Sequence, residues 1–215
     1  MDTQCVRCRL KLWYDSPAMD ATKCIEKHFT SSIQAKQDTL NTSADSIRRA
    51  GALLSDRLAI GKKVLVCGNG GSAADAQHLS SELVNRFERD RPALPAIALT
   101  TDISSLTSIG NDSSFDEIFA RQIAALGSPG DILVAISTSG NSRNILRAVE
   151  SARLQNMQVI VLSGRDGGNA GKMLADGDIE VRVSGDSTAR IQETHILIIH
   201  CWCDLIEQFL TGQEA

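Results

Sequence analysis

The sequence predicts an α/β fold: a mainly parallel five-stranded sheet flanked by helices and doubly wound, preceded by an N-terminal pair of helices. Three observations carry this. Five short runs rich in apolar and β-branched residues recur from position 63 onward. Helical patterns lie between them, and strands alternating with helices imply right-handed crossovers and parallel strands. Most of the runs are apolar throughout rather than alternating, the mark of strands covered on both faces.

Residues 1–20, MDTQCVRCRLKLWYDSPAMD, hold a few basic side chains but no apolar core of signal-peptide length. They are expected to form a poorly ordered extension, with Met19 as an alternative start, ahead of a single domain over 21–215. From Ala21 to Leu58 the pattern is helical. Ile25, Phe29 and Ile33, then Ile47, Ala50, Leu53, Leu54 and Leu58, fall on stripes. A break near Asn41-Thr42-Ser43, capped by a hydroxyl, divides this stretch into two helices. The strands are KVLVC (63–67), PAIALT (95–100), DILVAIS (131–137), MQVIVLSG (157–164) and DIEVRV (178–183). Helices are expected over 72–88, 115–126, 142–155 and 189–210. The last, ARIQETHILIIHCWCDLIEQFL, is apolar in nearly every direction. Such a helix is covered on more than one side, which points to packing against another subunit.

The 215 residues are 42% hydrophobic and 22% charged, with a formal net charge of −4 and no block of like charges, an ordinary soluble composition. Clustered Lys and Arg are absent and aromatics are 4%, which argues against direct nucleic-acid binding. No run approaches a bilayer span. Cys67, Cys201 and Cys203 lie in apolar runs, and Cys5 and Cys8 form a lone CxxC without the second pair a structural zinc site needs. A reduced, cytoplasmic protein is expected.

Two strand-to-helix turns carry the chemistry. Gly68, Gly70 and Gly71 in GNGGSAADAQHLSSEL permit a tight turn and close approach of a ligand to a helix N-terminus. The spacing is neither the dinucleotide fingerprint nor a Walker motif, and alone it is equally a plain βα turn. The second turn, STSGNS, puts Ser137, Thr138, Ser139 and Ser142 at the same kind of position. One serine suffices to cap a helix; four hydroxyls with free backbone donors suit a phosphate monoester. His78 and Glu82 are four apart and share a helix face. Gln192 and His200, eight apart, lie on one side of the last helix. Such pairs alone are more often surface ion pairs or satisfied core groups, but His200 within ILIIHCWC requires a partner.

Taken together, CGNGGS, the His78–Glu82 pair, GND at 110–112, STSGNS, GRDGG at 164–168 and RIQExHxxxxH at 190–200 resemble the sedoheptulose-7-phosphate (phosphoheptose) isomerases of the sugar-isomerase, or SIS, domain group. The resemblance runs from about residue 22 to 210 and implies an SIS-type sheet and an aldose–ketose isomerase. It would convert D-sedoheptulose 7-phosphate to D-glycero-D-manno-heptose 7-phosphate, the first step of ADP-heptose supply for lipopolysaccharide cores. It implies that Asn69, Gly70, Gly71, Ser72, Asn111, Asp112 and Gln192 line the sugar and that Ser137, Thr138, Ser139 and Ser142 hold the phosphate. It further implies one zinc ion per subunit on His78, Glu82, Gln192 and His200, with Glu82 and His200 the acid–base pair and Glu82 also touching substrate. Homotetramers with sites at subunit contacts complete the implication. One departure is Ala189, where some relatives carry Asp.

A rival from another class is a tetrameric scaffold like the DnaA initiator-associating proteins, which resemble RPALPAIALTTD and RIQETH. A scaffold needs the sheet but not His78, Glu82 and His200, and all three are present. A phosphosugar-sensing regulator is weaker still, because residues 1–60 show no basic recognition helix. His28 and His195 read as surface or packing residues, and Arg165 and Asp166 as parts of a turn.

Overall fold

The computed structural model describes residues 20–212; residues 1–19, with the N-terminal extension and the CxxC, lie outside them. The chain opens with α1 (Ala21–Ala59) and then alternates: β1 (Val64–Gly68), α2 (Gly71–Val84), β2 (Ala96–Ala98), α3 (Ile103–Asp112), a 3₁₀ turn (Phe115–Glu117), α4 (Ala120–Leu126), β3 (Ile132–Ser137), α5 (Arg143–Leu154), β4 (Gln158–Gly164), α6 (Gly168–Lys172), β5 (Ile179–Val183) and α7 (Thr188–Thr211). The five strands run in the order β2-β1-β3-β4-β5, all parallel.

Alternation along each strand divides the core into two layers. Val64, Val66, Ile132, Val134, Ile136, Ile160 and Leu162 pack under α1, α2 and α7. Leu65, Cys67, Leu133, Ala135, Val159 and Val161 pack under α4, α5 and α6. β1, β3 and β4 are buried along almost their whole length, as their unbroken apolar text requires. Between β1 and β3 the connections part, one leading out to β2 and the other on to β4. That divergence is the switch point beside which open parallel sheets bind ligands.

Two expectations are corrected. The N-terminal pair is one continuous helix of 39 residues. The hydroxyls expected to cap a second helix bond elsewhere: Thr42 Oγ1 donates back to the Asp38 carbonyl at 2.9 Å, and Ser43 Oγ donates to the Arg182 carbonyl of β5 at 2.7 Å. The GND stretch, where no helix is expected, closes α3 (Ile103–Asp112). The last helix is covered along one side by its own chain and leaves Leu197, Cys201 and Phe209 exposed. Ile191, Ile198, Ile199, Trp202, Cys203 and Ile206 are buried, and α1 comes so close that a Cβ on Gly51 would stand 2.7 Å from Leu205 Cδ1. Trp202 Nε1 donates to the Ile47 carbonyl at 3.1 Å. No helix among the described residues is long and apolar enough to cross a membrane.

Candidate active site

The turns that follow β1 and β3 meet at the switch point around a cleft of about 280 Å³. It is lined by Asn69, Gly70, Gly71, Ser72, Ile136, Ser137, Thr138, Ser142, Thr188 and Gln192. Gly70 turns the chain with φ +56°, a conformation L side chains rarely adopt. A Cβ on Gly71 would lie 2.4 Å from the Gln192 amide nitrogen, so any side chain there would displace the Gln192 amide from the cleft. On the β3 side Ser137 Oγ accepts the Gly140 N–H at 3.1 Å, which shapes the serine turn. Ser142 is the N-cap residue of α5, but its hydroxyl makes no capping bond and remains available to a ligand.

Not every expected residue reaches the cleft. Ser139 Oγ accepts the Asn141 N–H at 3.2 Å. Asn111 and Asp112 bond to each other, Nδ2 to Oδ1 at 2.8 Å, on exposed positions at the end of α3. None of the three is among the residues lining the cleft.

The second half of the site stands further along α2 and α7. His78 and His200 face each other with Nε2 atoms 2.8 Å apart and rings inclined at 66°. One of the two donates; the other accepts. Glu82 Oε1 is 3.8 Å from His78 Nε2. The partner that His200 requires in its apolar run is therefore His78. Gln192 begins two helical turns before His200, a rise of about 12 Å, and its amide abuts Gly71.

As a zinc site the donors fit by kind: imidazole nitrogen and carboxylate oxygen are what zinc takes. By spacing, the imidazoles form a hydrogen bond instead. Two nitrogens on a tetrahedral zinc stand ~3.3 Å apart, given Zn–N distances of 2.0–2.1 Å, so the pair has to open by about half an ångström to admit an ion. Accordingly, among the described residues no three His, Cys, Asp or Glu side chains are gathered as a metal site.

The family follows from comparison. The SIS domain model matches residues 28–164. The phosphoheptose isomerase of Halorhodospira halophila is 57% identical over 90% of this chain and 98% of its own length. That of Thiobacillus denitrificans is 56% identical over 87% and 95%. Among solved structures, the phosphoheptose isomerase from Francisella tularensis superposes with a TM-score of 0.86 at 50% identity, covering 88% of this chain and all (100%) of that one. The chain belongs to the phosphoheptose isomerase family of SIS domains.

Several residues at this family site carried no signal in the sequence. Asn144, almost fully buried, exchanges amide hydrogen bonds with Asn69 at 2.8 Å in both directions and so fixes the β1 turn against α5. Thr188 lines the cleft from the first turn of α7. Asp75, between Gly71 and His78 on α2, is buried and has a carboxyl oxygen without a partner; burial pushes its pKa up to about 6. His195 is a packing residue, as expected. Its Nε2 bonds the Ser163 carbonyl at 2.9 Å, and burial first, against that bond, pulls its pKa down to about 4. Burial likewise pushes the Cys203 thiol up to about 12.

The GRDGG turn has a part that the sequence did not reveal. Its glycines back the serine turn: a Cβ on Gly140 would stand 1.9 Å from the Gly167 carbonyl oxygen, and one on Gly168 would stand 2.4 Å from that of Ser139. Arg165 and Asp166 are exposed parts of the turn, as expected.

Proposed function

We propose that this chain isomerises D-sedoheptulose 7-phosphate to D-glycero-D-manno-heptose 7-phosphate, the step that opens ADP-heptose supply for lipopolysaccharide cores, as a cytoplasmic homotetramer. The observation that carries the chemistry is the convergence of Glu82, His78 and His200 from two helices whose earlier turns line the cleft.

The phosphate sits on Ser137, Thr138 and Ser142 at the N-terminus of α5, where free N–H groups and the helix dipole favour an anion. Asn69, Gly70, Gly71, Ser72 and Gln192 line the sugar; Ser139, Asn111 and Asp112 join only after moving from the places described above. Glu82 takes the proton from one substrate carbon and returns it to the next, while the His200 imidazole moves a proton between the two oxygens. His78, hydrogen-bonded to His200, sets which tautomer is presented. One zinc ion per subunit would be held by His78, Glu82 and His200 once the imidazoles part, with Gln192 as the fourth donor once its amide leaves Gly71, and would supply positive charge where the enediol oxygens become negative. A carboxylate claimed by metal is a weaker base, so the acid–base assignment stands apart from the metal's. No feature of the site or of the relatives favours the DnaA-binding scaffold.

The test is turnover of sedoheptulose 7-phosphate in a coupled assay. Glu82→Gln keeps shape and removes the base; kcat is expected to fall ~10²-fold or more, the usual worth of a positioned base. Near-parental kcat in that variant eliminates the mechanism. Metal analysis of the purified protein, with turnover measured before and after chelation, decides the zinc proposal separately.

A further inference from the structure

The loop that follows α2 is seated by a buried device beside the imidazole pair. Glu207 on α7 is fully buried (0% exposed). Its carboxylate accepts the backbone N–H groups of Phe87 at 2.8 Å, Glu88 at 3.0 Å and Arg89 at 2.8 Å, and Arg91 Nε at 3.2 Å. The Arg91 side chain is itself only 2% exposed. Its guanidinium also donates to the carbonyls of Glu82 at 2.7 Å and Leu83 at 2.9 Å, in the last turn of α2. One carboxylate thus ties the loop to the helix of His200, and one guanidinium ties it to the helix of Glu82. Burial pushes the Glu207 carboxyl up, but the N–H groups of Arg89, Phe87 and Glu88 and then the Arg91 charge outweigh it and hold its pKa below the usual range. Charge is therefore part of the clamp.

What the clamp presents is the Phe87 ring, stacked on His200 with centroids 5.3 Å apart and planes 23° from parallel. The last torsion of a histidine is broad and roughly two-fold. Nothing intrinsic keeps Nε2, rather than a ring carbon, toward His78. His200 is held between Phe87 stacked on its face and His78 at its edge.

We propose that Phe87, clamped by the buried Glu207–Arg91 pair, is a positioning residue that fixes the plane of the His200 imidazole. Phe87 is given no contact with reacting atoms; it acts through His200. The inference rests on the isomerase reading of the site.

The experiment compares Phe87→Leu, which removes the ring, with Phe87→Tyr, which keeps it. For each, kcat and KM on sedoheptulose 7-phosphate, the melting temperature and the imidazole ¹⁵N spectrum of histidine-labelled protein are measured. Phe87→Leu is expected to lower kcat about tenfold, part of what a positioned acid–base group contributes. KM stays within about twofold, folding is retained, and the His200 signals broaden or shift. Phe87→Tyr restores both kcat and the parental signals. A Phe87→Leu kcat within about twofold of parent overturns the proposal, as does Phe87→Tyr falling equally far. Should Phe87→Leu not fold, Phe87→Met is read in its place. A parent without turnover sinks the isomerase reading, and the spectra then decide the positioning alone: unchanged His200 signals in the ring-less variant overturn it.

Discussion

A carboxyl oxygen of Asp75 is buried without a partner in the middle of α2, and the consequence for stability has a definite sign. The pKa, raised by burial from 3.8 to about 6, lies higher in the folded chain than in the unfolded one. Protonated Asp75 is therefore tolerated and ionised Asp75 is penalised: stability is full below pH ~4 and is lost as pH rises through 6. Asp75→Asn removes the titration. Its melting temperature at pH 7.5 is expected to exceed the parent's by about 4 °C, equivalent to roughly 1–2 kcal/mol at this chain length, with the gain shrinking towards zero near pH 4. A gain equal at both pH values, or none at pH 7.5, contradicts this. At the same scale, His78, Glu82 and His200 were legible because helical spacing puts residues on a shared face. Asp75, Phe87 and Asn144 were not legible. What distinguishes them is a missing partner, a stacked ring and a reciprocal amide pair, all made by residues distant in sequence.

The two turns that back each other show what elements require of single residues. Gly140 combines φ +62° with a carbonyl oxygen where its Cβ would be, and Ala170 N–H donates to the Gly140 carbonyl at 2.9 Å. Gly140→Ala must push the GRDGG turn away from the serine turn. A cost of about 2–4 kcal/mol in stability is expected from strain and displaced backbone, together with a raised KM as Ser137 and Thr138 shift. Gly61→Ala is the control, since Gly61 has φ +75° but nothing within 4 Å of its Cβ; about 1 kcal/mol and no change in KM are expected there. Equal losses in the two variants, read by chemical unfolding, would remove the clash as the cause. The strands were readable because full burial writes itself as unbroken apolar text. The false break in α1 arose because Asn41, Thr42 and Ser43 are capping types by composition. Here Ser43 reaches a β5 carbonyl, and Thr39 Oγ1 accepts the Ser184 N–H at 3.3 Å. α3 escaped notice although Ile103, Leu106 and Ile109 recur at three-residue spacing, because its serines, glycine and asparagine read as loop text.

Across the whole molecule, exposed apolar side chains gather on α1, besides Leu197 and Phe209 on the last helix. Ile25, Phe29, Ile33 and Leu40 are each more than half exposed, and their spacing of four, four and seven residues aligns them on one face. Further along the helix Ala50, Leu54 and Leu58 fall on the same side, and there they are buried in the chain's own core. A continuous apolar stripe of this kind marks an interaction surface, and the same end of α1 reaches the site helix. Ser32 Oγ donates to Glu193 Oε2 at 2.7 Å, and Arg190 Nη1 donates to the His28 carbonyl at 2.6 Å, on either side of Gln192. Assembly through α1 would therefore be felt at the cleft. Analytical ultracentrifugation of the parent at micromolar concentration is expected to give the mass of four chains. Phe29→Lys combined with Ile33→Lys puts two charges on the stripe without touching the buried second half of the helix; a smaller species with unchanged helical content and reduced turnover is expected. A monomeric parent, or a double variant that still sediments as the parent does, would leave the stripe without its partner.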